Sequence, residues 1–329
     1  MRFGLCMVGI ALLMPVAASA QSLESLAGDL TPFTISVDPQ YPTPYSQATL
    51  SFLSSSINLA NATMVVSVAG KKIYQGSVQP TSVTLGATGS VTTVMATITA
   101  GGTPYTQTVS IQPQDVTLVI EPVSSTPVLY QGKPSVPLEG DVRVVAMANL
   151  RGTSGKPIDP NTLSYAWTVD DTQIADSSGI GKESILVASP LQYRSRDVSV
   201  AVMNSSGSVV GGASFSLIAS EPSVRLYEND PLMGIRFDHA LSGTYNLNGS
   251  ETTMVAVPFS LPTTTSAPVL QWFLNGASAQ TGNSITLRPT GNGQGNAALS
   301  VVASAGESTT ATANLSLIFG TQSSNFFGL

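Results

Sequence analysis

Along most of this chain the apolar positions recur at every second residue. Val142, Val144, Ala146 and Ala148 alternate with Arg143, Val145 and Met147. Val198, Val200 and Val202 repeat the pattern, as do Leu315, Leu317 and Phe319. A period of two puts successive side chains on opposite faces and predicts half-buried strands. Turn pairs punctuate these runs: Ala69-Gly70, Gly101-Gly102, Asp170-Asp171, Ser206-Gly207, Asn275-Gly276 and Gly291-Asn292-Gly293. Short strands at such spacing predict β-sandwiches. Only Leu23–Leu30 has helical spacing, as one or two turns or a loose leader.

The pattern also repeats at larger scale. Val66-Ser67-Val68-Ala69-Gly70, Trp167-Thr168-Val169-Asp170-Asp171 and Trp272-Phe273-Leu274-Asn275-Gly276 share an order of apolar, any, apolar and a turn pair. Each follows an alternating strand (Ala48–Phe52, Asp141–Leu150, Thr252–Leu261), and each leads to a closing strand (Thr106–Ile111, Ala213–Ile218, Ala313–Phe319). Val116-Thr117-Leu118 with Glu121 and Val224-Arg225-Leu226 with Glu228 match at the starts of the second and third repeats. The expected division is 31–115, 116–220 and 221–329. The connections Gln112–Asp115 and Ala219–Pro222 are short and contain Pro, which predicts restricted joints. Val66, Trp167 and Trp272 are the expected structural core positions, since an indole on the apolar alternation buries 150–250 Å².

Gly155–Pro160, Leu163–Trp167 and Ser178–Lys182 resemble a bacterial PKD-type or immunoglobulin-like domain, through the Tyr-x-Trp strand and the turn after it. The likeness covers about one third of the chain, and Val66 departs from it where the other repeats have Trp. The whole chain after residue 20 is similar to uncharacterised secreted Ig/PKD-like proteins of candidate-phylum bacteria, notably at Leu226–Leu232. The implied fold class is all-β, with three tandem Ig-like/PKD-like β-sandwich domains after a signal peptide. That resemblance supplies no catalytic residues.

Met1–Ala20 has Arg2 ahead of an apolar run and closes on Ala18-Ser19-Ala20, the pattern of a signal peptide cleaved after Ala20. The run is shorter than the roughly 20 residues that span a bilayer. Cys6, the single cysteine, would leave with it, so no disulfide would brace the exported chain. Nothing later is apolar enough to cross a membrane as a helix. Leu261–Thr265 lacks the Gly of a sorting signal. These features predict an extracytoplasmic protein, secreted or at the cell surface.

The chain has 13 basic against 19 acidic residues. Nucleic-acid binding, which draws on clustered Lys and Arg, is therefore not expected. With 44 Ser and 34 Thr, sequons such as Asn61-Ala62-Thr63, Asn204-Ser205-Ser206, Asn248-Gly249-Ser250 and Asn314-Leu315-Ser316 arise by composition alone.

Candidate chemistry is sparse. His239 is the lone histidine, in Arg236-Phe237-Asp238-His239-Ala240, with no nucleophile elbow nearby. Zinc ligation wants clustered His and Cys, which are missing. Gly291–Gly295 lacks the Lys and helix of a phosphate cradle. The acids are scattered singly rather than paired for glycoside hydrolysis. No catalytic residue, cofactor or enzyme activity is expected. Glu221, Glu228, Asn229, Asp230 and Asp238 fall around the second joint. Glu228, Asp230 and Asp238 are weak calcium candidates without a ligand-loop spacing, and solvated turns are the plainer reading.

The expected role is a non-enzymatic structural spacer, adhesin or assembly component of the envelope, meeting protein or glycan partners through sandwich loops and edges. The alternative is a carbohydrate-binding module using exposed tyrosines among Tyr41, Tyr45, Tyr105, Tyr130 and Tyr193. The apolar tail Asn325–Leu329 either folds back on the third repeat or meets a partner.

Overall fold

The structure, a computed structural model, describes residues 31–127, 130–247, 251–290 and 294–320. The expected signal peptide, the Leu23–Leu30 leader, the 291–293 turn, the sequon at 248–250 and the 325–329 tail lie outside the described residues. Among the described residues the regular structure is strand throughout, apart from two single 3-10 turns at Pro160–Thr162 and Ala175–Ser177.

The strands form three pairs of facing sheets. The first pair uses β1 (Thr34–Asp38), β2 (Gln47–Leu53), β3 (Thr63–Val68), β4 (Lys71–Ser77), β5 (Thr81–Thr84), β6 (Thr92–Ala100) and β7 (Thr103–Ile111). Its sheets run β1-β2-β5 and β4-β3-β6-β7. The second uses β8 (Asp115–Pro122), β9 (Asp141–Asn149), β10 (Ser164–Val169), β11 (Thr172–Gln173), β12 (Gly179–Ile180), β13 (Ser184–Ala188), β14 (Ser195–Met203) and β15 (Val210–Ile218). Here the orders are β8-β9-β13 and β11-β10-β14-β15, with β12 also on β10. The third uses β16 (Ser223–Asp230), β17 (Gly234–Ile235), β18 (Gly243–Leu247), β19 (Thr252–Phe259), β20 (Val269–Leu274), β21 (Ala277–Thr281), β22 (Ser284–Leu287), β23 (Gly295–Ala305) and β24 (Thr309–Phe319). It is ordered β17-β16-β19-β22 and β18-β24-β23-β20-β21. The recurring plan sets a three-strand core sheet against a sheet whose hairpin (β3–β4, β10–β11 or β20–β21) carries the repeated turn pair. The third sandwich adds β18, which runs parallel to β24.

By internal contacts the chain divides into two compact units. One is Met1–Asp115 with Leu150–Ile158 and Met203–Gly211; the other is Val116–Asn149, Asp159–Val202 and Gly212–Leu329. In the first unit Gln114 accepts from the Arg151 amide (2.8 Å) and donates to the Arg151 carbonyl (3.0 Å), which ties the 150–158 segment to the end of β7.

The alternation fills each interior. Leu50, Met64, Val66, Val94, Ala96 and Ile98 close one core, and Met254, Trp272, Leu299, Val301 and Leu317 another. Between these two in sequence, Val142, Val144, Tyr165, Trp167, Val198 and Val200 are equally buried. Val66, Trp167 and Trp272 have no exposed surface. Both indole N–H groups donate to backbone carbonyls at 2.8 Å, Trp167 to Lys182 and Trp272 to Gly282, so each buried ring leaves no polar atom unsatisfied. Strand β19 departs from simple alternation. Its outward residues Val255 and Val257 pack with Tyr227 under Ile235, Ala240 and Phe259, so both faces of this sheet are covered.

The three turn pairs share one backbone. Ala69-Gly70, Asp170-Asp171 and Asn275-Gly276 all have positive φ at both positions, the conformation a two-residue hairpin needs to match strand twist. In each, the first turn amide donates across the sheet: Ala69 to Thr93, Asp170 to Asp197, Asn275 to Ala298. Asp170 and Asn275 also accept from the opposing amide, at 2.9 and 2.8 Å. Ala69 has no side-chain acceptor and sits at a φ of 49° that Asn tolerates better. Ala69→Asn is therefore expected to stabilise the first sandwich by about 1 kcal/mol, the net value of one added hydrogen bond. Urea denaturation followed by a probe in the 31–115 segment checks it: the midpoint rises, with an unchanged slope.

Candidate functional site

In the second unit the long connection from β8 to β9 is not a free loop. It lies against the segment that follows β19. Ser125 is buried and makes three bonds there: its amide donates to the Leu261 carbonyl (2.8 Å), its carbonyl accepts from the Ser260 amide (3.2 Å), and its hydroxyl accepts from the Leu261 amide (3.1 Å). Thr263 donates to Val123 at 3.2 Å, and Ser124 bridges Pro262. Ser260 turns the chain with φ 60°, which offers successive amides to the strap. Further along, Tyr130 meets Phe259 edge-on at 5.8 Å, and Ser220 donates to the Val136 carbonyl. The strap ends at Glu139, whose carboxylate takes the hydroxyl of Ser308 and the amides of Glu307 and Ser308 at 3.3 and 3.4 Å, at the tip of the β23–β24 hairpin. The sequence pattern alone puts the second joint at Ala219–Pro222. The signal for the strap was present in the run of Pro122, Pro127, Pro134 and Pro137 between two predicted strands, longer than a hairpin connection requires.

The Glu139 carboxyl is held below its ordinary value of 4.5, chiefly by the Ser308 hydroxyl and then by its other donors on the hairpin tip. A depressed folded-state value means that this contact contributes fully above the ordinary carboxylate range and is lost as pH falls through the folded value. The grip on the hairpin tip should loosen only under acid, and Glu139→Gln should flatten that dependence. Amide shifts of Glu307 and Ser308, followed by NMR from neutral pH downwards, check it; shifts that titrate identically in the Gln variant would refute the assignment.

Beside the strap lies an open depression of about 470 Å³, lined by Leu138, Tyr193, Arg194, Ile218, Ala219 and Glu221 among others. Its rim is the turn before β14, closed by the Arg194 amide on the Leu191 carbonyl (3.0 Å). Tyr193 occupies that turn with φ 62° and is 90% exposed. Gln192 approaches Glu221 at 3.5 Å across the rim.

The other tyrosines separate by exposure. Tyr45, at φ 59°, is 75% exposed, and Tyr130 is half exposed. Tyr41 and Tyr105 are partly covered, and burial raises the Tyr41 phenol above its ordinary value.

The acids around Glu228 are individually engaged. Glu228 lies beside Tyr245, whose phenol is pushed up to about 12 by burial first and then by that neighbouring carboxylate. Asp230 caps its own turn by accepting from the Met233 and Leu232 amides, which lower its value. Asp238 pairs with Arg236 at 3.1 Å, and that hydrogen bond lowers it. Among the described residues no group of three or more His, Cys, Asp and Glu side chains stands where it could hold a metal ion. His239 is exposed on the turn closed by its amide on the Arg236 carbonyl. No helix among the described residues is long and apolar enough to cross a membrane.

No family model and no curated protein matches the chain. Among solved structures it is similar to the three N-terminal domains of the bacteriophage RB49 highly immunogenic outer capsid protein, at 13% identity over 88% of this chain and 99% of that one, with a TM-score of 0.27. It is similar to the central fibronectin-III array of RIM-binding protein at 10% identity, over 88% and 96% of the two chains, with a TM-score of 0.28. For immunoglobulin domains 1–5 of Sidekick-1 the identity is 10%, over 88% and 59%, with a TM-score of 0.27. The all-β tandem-sandwich architecture rests on the sheets themselves.

Proposed function

We propose that the protein is a non-catalytic, exported spacer and contact protein of the cell envelope, built from sandwiches bounded near 115/116 and 220/221. The Ser125 knot carries this reading. It binds the second and third sandwiches into one compact unit through backbone hydrogen bonds, which is what a distance-setting element requires and what a flexible string of modules lacks. The singly engaged acids and the exposed histidine support a surface whose business is contact rather than turnover. Spin labels at Ile180→Cys and Val269→Cys, both at exposed positions, test it: pulsed dipolar spectroscopy should give one narrow distance distribution. A broad distribution would overturn the spacer reading. Cell fractionation that left the chain in the cytoplasm would overturn the envelope assignment.

A second role, saccharide binding by exposed tyrosines, is favoured by one specific observation: Tyr45 and Tyr193 are both held outward on turns of positive φ.

A further inference from the structure

Seven described non-glycine residues have positive φ. Ala69, Asp170, Asp171 and Asn275 form the hairpin turn pairs, and Ser260 belongs to the Ser125 knot. Tyr45 and Tyr193 remain. A bulky side chain in this region costs about 1–2 kcal/mol, and a chain with 29 glycines has the cheaper residue to hand. Tyr193 has little burial to set against that cost, being 90% exposed. The positive φ serves the Leu191–Arg194 turn, which a glycine would close at less cost, so the feature that asks for a function is the large aromatic ring held outward there.

The surroundings specify the ligand. The depression falls in the 300–1,000 Å³ range of small-molecule sites. Its lining brings apolar Leu138, Ile218 and Ala219 together with Gln192, Arg194 and Glu221. These three are planar groups that donate or accept in pairs. The two charges cancel, so nothing favours an ionic ligand of either sign. An interface hot spot for a protein side chain is enclosed and desolvated, whereas this depression is open. A ring with apolar faces and an equatorial belt of hydroxyls suits the tyrosine, the aliphatic groups and the planar polar groups together.

We propose that the Tyr193 depression binds a neutral saccharide, one pyranose ring stacking on Tyr193 with its hydroxyls on Gln192, Arg194 and Glu221. This deepens the second role above and is independent of the spacer reading, which the spin-label distances test separately.

The test titrates the full chain with cellohexaose, maltohexaose, mannohexaose, xylohexaose and chitohexaose, with a polygalacturonate hexamer as the charged control, by calorimetry and amide NMR. At least one neutral sugar should bind saturably and shift the 191–195 amides, and the charged control should bind at least tenfold more weakly. Tyr193→Ala should weaken binding at least tenfold, while Tyr193→Trp retains it. Tyr193→Gly separates binding from folding: it should abolish binding while the melting temperature stays level or rises. Failure of every neutral sugar, or binding that survives Tyr193→Ala, overturns the proposal. So would concentration-dependent self-association lost in Tyr193→Ala without any sugar binding, which would make this face an interface between copies.

Discussion

Trp272→Ala is expected to cost the third sandwich about 3–5 kcal/mol, the range for emptying an aromatic core site. The loss has two parts. The indole is fully buried among Met254, Leu299, Val301 and Leu317, and truncation leaves a cavity that strands fixed by register on both sides cannot collapse into. Its N–H also satisfies the Gly282 carbonyl, which is then left unpaired. Against a domain stability of 5–15 kcal/mol, this removes a large share or all of it. Trp272→Phe restores most of the packing but not the hydrogen bond and should fall between the two. Because the chain has two tryptophans, Trp167 becomes the sole indole reporter in either variant. Denaturant titration by Trp167 fluorescence beside far-ultraviolet dichroism should give two separated transitions, the dichroism change coming first. Coincident transitions within about 0.5 kcal/mol of the parent, the range of an ordinary surface substitution, would show that the ring is not the centre of an independent core.

The strand content and the paired sheets were legible because period-two alternation and turn pairs are local signals. Val66, Trp167 and Trp272 could be aligned from sequence because each precedes a turn pair whose backbone admits few residue types. The departures have local causes as well. Val255 and Val257 lie on what alternation alone reads as an outer face, and their covering by Tyr227 and Ile235 depends on a segment that turns back across the sheet. The Ser125 knot was not legible: it joins residues more than a hundred positions apart through two backbone bonds and one hydroxyl, and no periodicity along the chain encodes such a pairing. Glu228, Asp230 and Asp238 are neighbours in sequence, yet each carboxylate turns to a different partner, Tyr245, the Leu232 and Met233 amides, and Arg236. Proximity along the chain could not decide that. Tyr193 was visible only as one of several tyrosines near turns, because its positive φ and exposure follow from the turn geometry at Leu191–Arg194 rather than from composition.

Ser125→Ala is expected to loosen the second unit far more than removal of a surface hydroxyl would. Leu261 has no exposed surface, and its amide depends on the Ser125 hydroxyl at 3.1 Å. Deleting that acceptor leaves a buried N–H without a partner, a penalty of about 1–3 kcal/mol. The methyl of Ala cannot repair it, and water has little access beside a residue as covered as Ser125. Ser125→Thr keeps the oxygen and should restore most of the loss. The two backbone bonds of Ser125, together with Thr263 on Val123, survive the change, so the strap should fray rather than detach. Glu139 then becomes decisive, since its carboxylate is the next hold on the β23–β24 tip. Combining Ser125→Ala with Glu139→Gln should therefore cost more than the two single changes added together, because both act on one strap. The Ile180→Cys/Val269→Cys label pair reads this directly: a modest broadening in each single variant and a wide, multi-component distribution in the double. Strictly additive denaturation midpoints, with an unbroadened distance in the double variant, would mean that the sandwiches are held by something other than this strap.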